Sequence, residues 1–140
     1  MKKIVKVSVA VLLLNLSAGA FYGSWIFISD PSGGKFFLSV DLLGRTPFES
    51  YLIPGVILLI INGLFPLFIL ISLLLRKRYF KWLLLLQGCV LIGWLSIQLL
   101  ISKDFFMPVM HYSCYATGLL LIVFSFLLMK KDHANLQMTG

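Results

Sequence analysis

Acidic residues and cysteines are scarce in this chain. Of its 140 residues, five are Asp or Glu, two are Cys and two are His. Cys89 and Cys114 form no CxxC motif, which argues against a thiol oxidoreductase. The sequence also lacks the HExxH, GxSxG and P-loop motifs of metalloproteases, serine hydrolases and nucleotide-binding proteins. We therefore expect no catalytic residue, no metal site and no cofactor.

Charge of either sign is sparse as well. Charged residues make up 12% of the chain and hydrophobic residues 60%, whereas soluble domains average about 25% and roughly 45–50%. A soluble core of this size could not cover so much apolar surface, so lipid is the expected solvent. The net charge of +7 comes from basic residues in short clusters beside apolar runs. That placement is typical of topology signals and argues against nucleic acid as a partner.

Four segments contain no charged residue, and each is long enough to cross a bilayer as a helix. At ~1.5 Å per residue, about 20 residues span ~30 Å of hydrocarbon. A helix satisfies its own backbone hydrogen bonds in lipid, and the alternation typical of barrel strands is missing. The sequence predicts an all-α membrane protein with a single transmembrane domain over residues 1–140, folded as a four-transmembrane-helix bundle. The predicted helices span about 7–28, 51–75, 82–101 and 108–129.

Lysine and arginine are divided unevenly between the two ends of this bundle. With four spans, the N-terminus, the connector 76–81 and the tail 130–140 lie on one side and carry nine of the twelve basic residues. The loop 29–50 and the connector 102–107 carry the other three. The positive-inside rule predicts an N-in/C-in orientation, with an extracytoplasmic loop 29–50 and a cytoplasmic tail 130–140. The expected location is a cytoplasmic (inner) membrane, which the chain crosses several times.

The first segment has a second interpretation. Residues 1–20 have a basic start and an apolar stretch that ends in Ala18-Gly19-Ala20, which resembles a signal-peptidase site. The apolar run continues to Ile28, however, and so gives a full-length span. We expect the first helix to be retained, and a cleaved signal peptide stays the alternative.

Polar residues within the spans recur on one sector of each predicted helix. Asn15, Asn62, Gln87 and Trp94 belong to these sectors, at about 100° of rotation per residue. Polar groups in hydrocarbon usually face protein, so we predict that these four residues form an inward-facing intramembrane polar stripe. Pro66 should kink the second helix near Asn62, whose side chain then satisfies the freed carbonyl.

Two small residues in the first span suggest a close helix contact. Gly19 and Gly23 form a GxxxG pair, which lets another helix approach the backbone. The partner is either another helix of the same chain or a second copy of the protein. We favour the contact within the chain because the motif is common in membrane helices, and the homodimer stays open.

A second polar group is predicted where the third span ends and the fourth begins. Gln98 lies three residues before the end of the third span, and His111 three residues after the start of the fourth. Their short connector places both side chains at similar depth, where Tyr112 and Tyr115 can close around them. We interpret this group as a candidate outward-facing pocket that responds to pH if water reaches the histidine. The alternative is a neutral His111 with a structural role, hydrogen-bonded to Gln98 or to a backbone carbonyl.

Some of these residues also suggest a family. The resemblance rests on the run Thr46-Pro47-Phe48-Glu49-Ser50-Tyr51-Leu52-Ile53-Pro54-Gly55, on Asn62-Gly63, and on Trp94 with Gln98. In these positions the chain resembles uncharacterised small four-span bacterial integral membrane proteins. The resemblance covers most of the chain and implies a bacterial cytoplasmic membrane, but it supplies no mechanism.

The functional interpretation follows by elimination. No Asp or Glu lies within a span, which removes the usual proton-coupling group of a transporter. We therefore expect an accessory or interaction protein of the membrane, with membrane lipids and another membrane protein or a second copy as partners. A transporter or channel subunit that acts as an oligomer is the first alternative. A membrane enzyme that acts on a lipid or a quinone is the second.

Overall fold

Helices make up nearly all of the described structure. The computed structural model describes residues 2–36, 40–44, 46–101, 103 and 106–139, and these residues contain no strand. Four helices are long and apolar enough to cross a membrane. The all-helical architecture with four candidate membrane-spanning helices is thereby confirmed. They are helix 1 (Lys2–Ser29), helix 2 (Leu52–Leu74), helix 3 (Phe80–Ile101) and helix 4 (Pro108–Thr139).

Two of the helices are longer than the sequence predicts. Helix 1 begins at Lys2 rather than near residue 7, and helix 4 continues to Thr139 rather than ending near residue 129. The prediction counted apolar residues, which measure the part of a helix that crosses lipid and not its whole length. Helix 4 has 32 residues and rises about 48 Å, well beyond a ~30 Å hydrocarbon layer. The predicted tail is therefore mostly helical, and an ion pair between Lys81 and Asp132 holds it to the start of helix 3.

The helices pack side by side in chain order and close into a ring. Helix 1 contacts helices 2 and 4, and helix 3 contacts helices 2 and 4. The contacts of helix 1 with helix 2 and of helix 3 with helix 4 are the most extensive. Every helix contributes to one apolar core near the end where helix 1 begins. Its fully or nearly fully buried residues are Val9, Leu13, Ile69, Leu73, Phe80, Leu84, Leu121 and Leu128.

Helix 2 is interrupted by a wide turn in its middle. The segment Leu59–Leu64 is π-helical, and the N–H of Phe65 bonds to the carbonyl of Ile60, five residues back. Pro66 explains this geometry because it offers no N–H to the carbonyl four residues before it, and its ring would collide with that carbonyl in a regular α-helix. The predicted distortion is present as a widened turn, which adds a residue to the helix and redirects the side chains around residue 62.

The connection between helices 1 and 2 is anchored at both of its ends. It contains two 3-10 turns, Gly34–Phe36 and Val40–Leu43. The N–H of Tyr51 donates to the carbonyl of Pro31 at 2.9 Å, and the ring of Tyr51 stacks on Phe27 with centroids 5.1 Å apart. These contacts hold the start of helix 2 against the end of helix 1.

Candidate functional site

A fully buried polar contact joins helix 2 to helix 3. Nε2 of Gln87 donates a hydrogen bond to Oδ1 of Asn62 at 2.9 Å, and the two residues are 0% and 1% exposed. Asn62 belongs to the π-helical turn, which directs it toward the interior. The structure thus brings together two of the residues of the predicted polar stripe. Since hydrocarbon offers no competing donor or acceptor, this bond fixes the register of the two helices.

Each amide of this pair retains one polar atom with no hydrogen-bond partner among the described residues. These atoms are Nδ2 of Asn62 and Oε1 of Gln87, and both are buried. Leaving such a group unpaired costs about 1–3 kcal/mol. One is a donor and the other an acceptor, so a single polar group that both donates and accepts can satisfy the pair.

A second buried bond connects helix 1 to the same turn. The hydroxyl of Ser17 donates to the carbonyl oxygen of Gly63 at 2.9 Å. A backbone distorted by proline leaves carbonyl groups without a partner in their own helix, and a hydroxyl from a neighbouring helix can satisfy them. Ser17 is not among the residues that the sequence predicts for the polar stripe. The available signal was Pro66, which indicates a distorted backbone near Gly63 but not which helix donates a hydrogen bond to it.

Asn15 does not join this inner group. It lies on the exposed side of helix 1 together with Ala18, Gly19 and Tyr22, whereas Ser17 lies on the buried side. The predicted inward position of Asn15 is therefore wrong. A polar residue that recurs every seven positions identifies a shared helix face, but it does not tell whether that face meets protein or lipid. Trp94 on helix 3, the fourth residue of the predicted stripe, is half-buried.

The two glycines of the first helix have different surroundings. A Cβ added to Gly23 would lie 3.3 Å from Cδ2 of Leu58, so Gly23 packs against helix 2 of the same chain. Around Gly19 no other described atom lies within 4 Å of the position that a Cβ would take. The contact within the chain therefore involves one glycine of the pair, and the other glycine faces outward.

His111 is buried and caps the start of helix 4. Its Nδ1 accepts a hydrogen bond from the N–H of Met107 at 3.1 Å, and its exposed fraction is 0%. The ring of Phe106 covers it with centroids 5.4 Å apart. Nε2 of His111 is buried and has no hydrogen-bond partner among the described residues. A buried histidine bonded to Met107 agrees with a structural role at the connector between helices 3 and 4, but its partner is a backbone N–H rather than the expected Gln98 or carbonyl.

The other members of the predicted pocket do not surround His111. Tyr112 is 68% exposed and packs edge-on against Phe106, and the hydroxyl of Tyr115 hydrogen-bonds to Ser96 of helix 3 at 3.0 Å. Gln98 is partly exposed. Adjacent residues of a helix are about 100° apart, so Tyr112 cannot share the inward sector of its neighbour. The expected pocket is therefore corrected for Tyr112, which is exposed, and for the hydroxyl of Tyr115, which bonds to Ser96, whereas the place of Gln98 in it stays a prediction.

The fold and the buried contacts define a class of protein but no chemistry. Among the described residues, no group of three or more His, Cys, Asp or Glu could hold a metal ion, and Cys89 and Cys114 are free thiols. Four helices that are long and apolar enough to span a membrane, joined by buried hydrogen bonds, indicate a multi-pass membrane protein. Comparison of the chain with protein-family models, curated proteins and solved structures finds no match. The resemblance to bacterial four-span proteins stays a prediction.

Proposed function

We propose that this protein is an interaction protein of the membrane, and that the outer face of helix 1 pairs with the same face of a second copy. The observation that carries this proposal is the exposed position of Asn15 near the middle of Lys2–Ser29. At ~1.5 Å per residue the amide lies about 20 Å from either end of the helix, so it faces the hydrocarbon of the bilayer. Acyl chains offer it no hydrogen bond, whereas a partner helix does.

A second copy is the partner that the chemistry of this face favours. A carboxamide is both donor and acceptor, so Asn15 of one chain can bond to Asn15 of another across a symmetric helix pair. Next to it, Ala18 and Gly19 are exposed and small, which allows two backbones to approach closely. In a larger oligomer the same face, with Tyr22, would line a pore, which is the form that the channel alternative takes.

Cross-linking in native membranes tests this pairing. In a variant without Cys89 and Cys114, Ala18→Cys is expected to give a disulfide-linked dimer on mild oxidation. Leu119→Cys is the matched control, because Leu119 is 57% exposed at a similar predicted depth on helix 4. Adding Asn15→Leu to the Ala18→Cys variant should lower the dimerisation constant about fivefold, the change that ~1 kcal/mol of lost hydrogen bonding produces, and so reduce the cross-linked fraction at low protein density.

Other cross-linking results, together with co-purification and flux measurements, decide between the remaining functions. Equal cross-linking at positions 18 and 119, or no effect of Asn15→Leu, would contradict the proposed pairing. A different protein that co-purifies in stoichiometric amount, and is lost with Asn15→Leu, would assign the face to that partner instead. Ion or solute flux through proteoliposomes that Asn15→Leu abolishes would favour the oligomeric channel.

The orientation belongs to the same proposal. Both termini face the cytoplasm and the loop 29–50 lies on the opposite side of a cytoplasmic membrane, which the division of nine basic residues against three supports. Single cysteines introduced at Ser32, Tyr79 and His133 in the cysteine-free variant test it. All three positions are exposed, and an impermeant thiol reagent added to intact cells should label only the first. Labelling at position 79 or 133 would reverse the orientation.

A further inference from the structure

A basic cleft opens between the start of helix 1 and the end of helix 2. Its volume is about 550 Å³. Three basic side chains line it, and apolar residues complete its wall, so one space offers both positive charge and hydrocarbon contact. The basic residues are Lys3, Lys6 and Arg76, and the apolar ones include Val7, Leu73 and Leu74.

Charge and hydrocarbon are arranged in layers within this basic cleft. Along helix 1 the basic positions 3 and 6 precede the apolar positions 7 and 10, and along helix 2 the apolar positions 73 and 74 precede the basic position 76. The two helices run in opposite directions, so both basic layers lie at the same end of the bundle. Lys3 and Ala10 are seven residues apart, which is about 10 Å along the helix axis. The basic cleft therefore passes from charged to apolar over the distance that separates a lipid headgroup from the first part of its acyl chain.

Arg76 reaches the basic cleft from an uncommon backbone conformation. Its φ is 56°, in the left-handed region, where glycine is the usual residue at the end of a helix. Its N–H bonds to the carbonyl of Leu73 at 3.0 Å, and the N–H of Lys77 bonds to the carbonyl of Ser72 at 2.9 Å. This pair of bonds is the Schellman motif, which needs the backbone of residue 76 but no side chain. An arginine at a position that favours glycine indicates that the guanidinium has a role of its own.

We propose that the basic cleft binds the phosphate headgroup of an anionic phospholipid, with an acyl chain along its apolar wall. Guanidinium and ammonium groups donate charge-assisted hydrogen bonds to phosphate oxygens, and basic pockets between transmembrane helices are suited to acidic headgroups. Among the described residues that line the basic cleft, three are basic and none is acidic, which favours an anion there. The site lies at the end of the bundle where helix 1 begins, and its lining does not include Asn15, Ala18 or Gly19 of the proposed pairing face.

Arg76→Gly separates lipid binding from folding. Glycine adopts the left-handed conformation without strain, so this variant should keep or raise the melting temperature while it removes the guanidinium. Arg78→Gly is the matched control, because Arg78 is exposed in the same connector but does not line the basic cleft. The probes are dioleoyl phosphatidylglycerol, dioleoyl phosphatidylcholine and inorganic phosphate, each added to the purified full chain in neutral detergent.

Native mass spectrometry then counts the lipid molecules retained per chain. We expect one phosphatidylglycerol bound to the wild-type protein and to Arg78→Gly. Arg76→Gly should bind about fivefold more weakly, the change expected for one basic residue at a charged lipid surface. Equal weakening by both variants would mean diffuse electrostatic attraction and overturn the site. Equal retention of phosphatidylcholine, or displacement of the lipid by millimolar inorganic phosphate, would overturn the assignment to an anionic lipid.

Discussion

Gly88 and Gly118 touch across helices 3 and 4. A Cβ added to Gly88 would lie 2.8 Å from the carbonyl oxygen of Gly118, and a Cβ added to Gly118 would lie 3.2 Å from the carbonyl oxygen of Gly88. Both contacts are with backbone, which cannot move aside as the tip of a side chain can. In lipid, helices associate largely through such close packing of small residues. The glycine pair therefore explains why helices 3 and 4 can pack so closely along one another.

Adding a methyl group at this contact should force the helices apart. We expect Gly88→Ala and Gly118→Ala each to lower the free energy of unfolding by about 1–3 kcal/mol, the usual cost of overpacking. Gly93→Ala on helix 3 is the control, since no neighbouring described atom lies within 4 Å of its added Cβ. Thermal unfolding of the purified protein in detergent, followed by circular dichroism, measures the effect. If Gly93→Ala melts as early as the other two, the contact is not the cause.

The hydrogen bond between Asn62 and Gln87 should be detectable as an energetic coupling. We expect Asn62→Leu and Gln87→Leu each to destabilise the protein by about 0.5–2 kcal/mol, because the remaining amide loses its partner inside the bundle. The double variant should be less destabilised than the sum of the two single ones. Gln98→Leu, which alters a partly exposed amide on the same helix, should have a smaller effect. Additive losses in the cycle would argue against the bond.

Two buried serines of helix 1 provide a test of the link to the widened turn. Ser17 donates to Gly63 of helix 2, whereas Ser24 donates to Ala20 of its own helix at 2.5 Å. We expect Ser17→Ala to cost about 1 kcal/mol, because helices 1 and 2 then lose the buried hydrogen bond that joins them. Ser24→Ala should cost less, since the bond it removes lies within one helix and joins no second helix. Unfolding in detergent compares the two variants, and a larger loss for Ser24→Ala would contradict the proposed role of the bridging bond.

The sequence predicts the membrane-spanning segments well, because hydrophobicity and length together determine whether a helix can cross a bilayer. It does not predict which side of a span faces protein, and helix 1 shows why. Leu13 is 0% exposed and Leu14 is 51% exposed, yet hydropathy treats them alike. In water a polar face would mark the surface, but acyl chains are as apolar as leucine. The same ambiguity led to the wrong position for Asn15.

The position of Pro66 and the rotation per residue of a helix predict local structure better than the polarity of the residues does. Pro66 correctly indicates a distortion beside Asn62, because the missing N–H and the bulk of the ring act on the local backbone. Rotation by about 100° per residue excludes a shared face for His111 and Tyr112, although both were assigned to one pocket. The contact between Gly88 and Gly118 required knowing where two helices cross. A single sequence does not give the point at which two helices approach each other most closely.

The contacts of His111 predict which nitrogen of its ring carries the hydrogen. Its Nδ1 lies 3.1 Å from the nitrogen and 3.1 Å from the oxygen of Met107, so the geometry allows the ring either to accept or to donate. The oxygen of Met107 already accepts the N–H of His111 at 2.8 Å. The N–H of Met107 stands at the start of a helix, where donors have no partner one turn back. We therefore expect a neutral ring that accepts at Nδ1 and carries its hydrogen on Nε2.

Nitrogen NMR of the histidine rings in micelles distinguishes these forms, because a protonated and an unprotonated ring nitrogen resonate far apart. His111 should show one fixed tautomer with hydrogen on Nε2 alone. His133 is exposed near the end of helix 4, so its two tautomers should exchange and give averaged signals, and His133→Gln assigns the spectrum. Hydrogen on Nδ1 of His111 would mean that the ring donates to the Met107 carbonyl and leaves the N–H of Met107 uncapped. Hydrogen on both nitrogens would remove the acceptor altogether, and the cap on helix 4 would then have to come from another group.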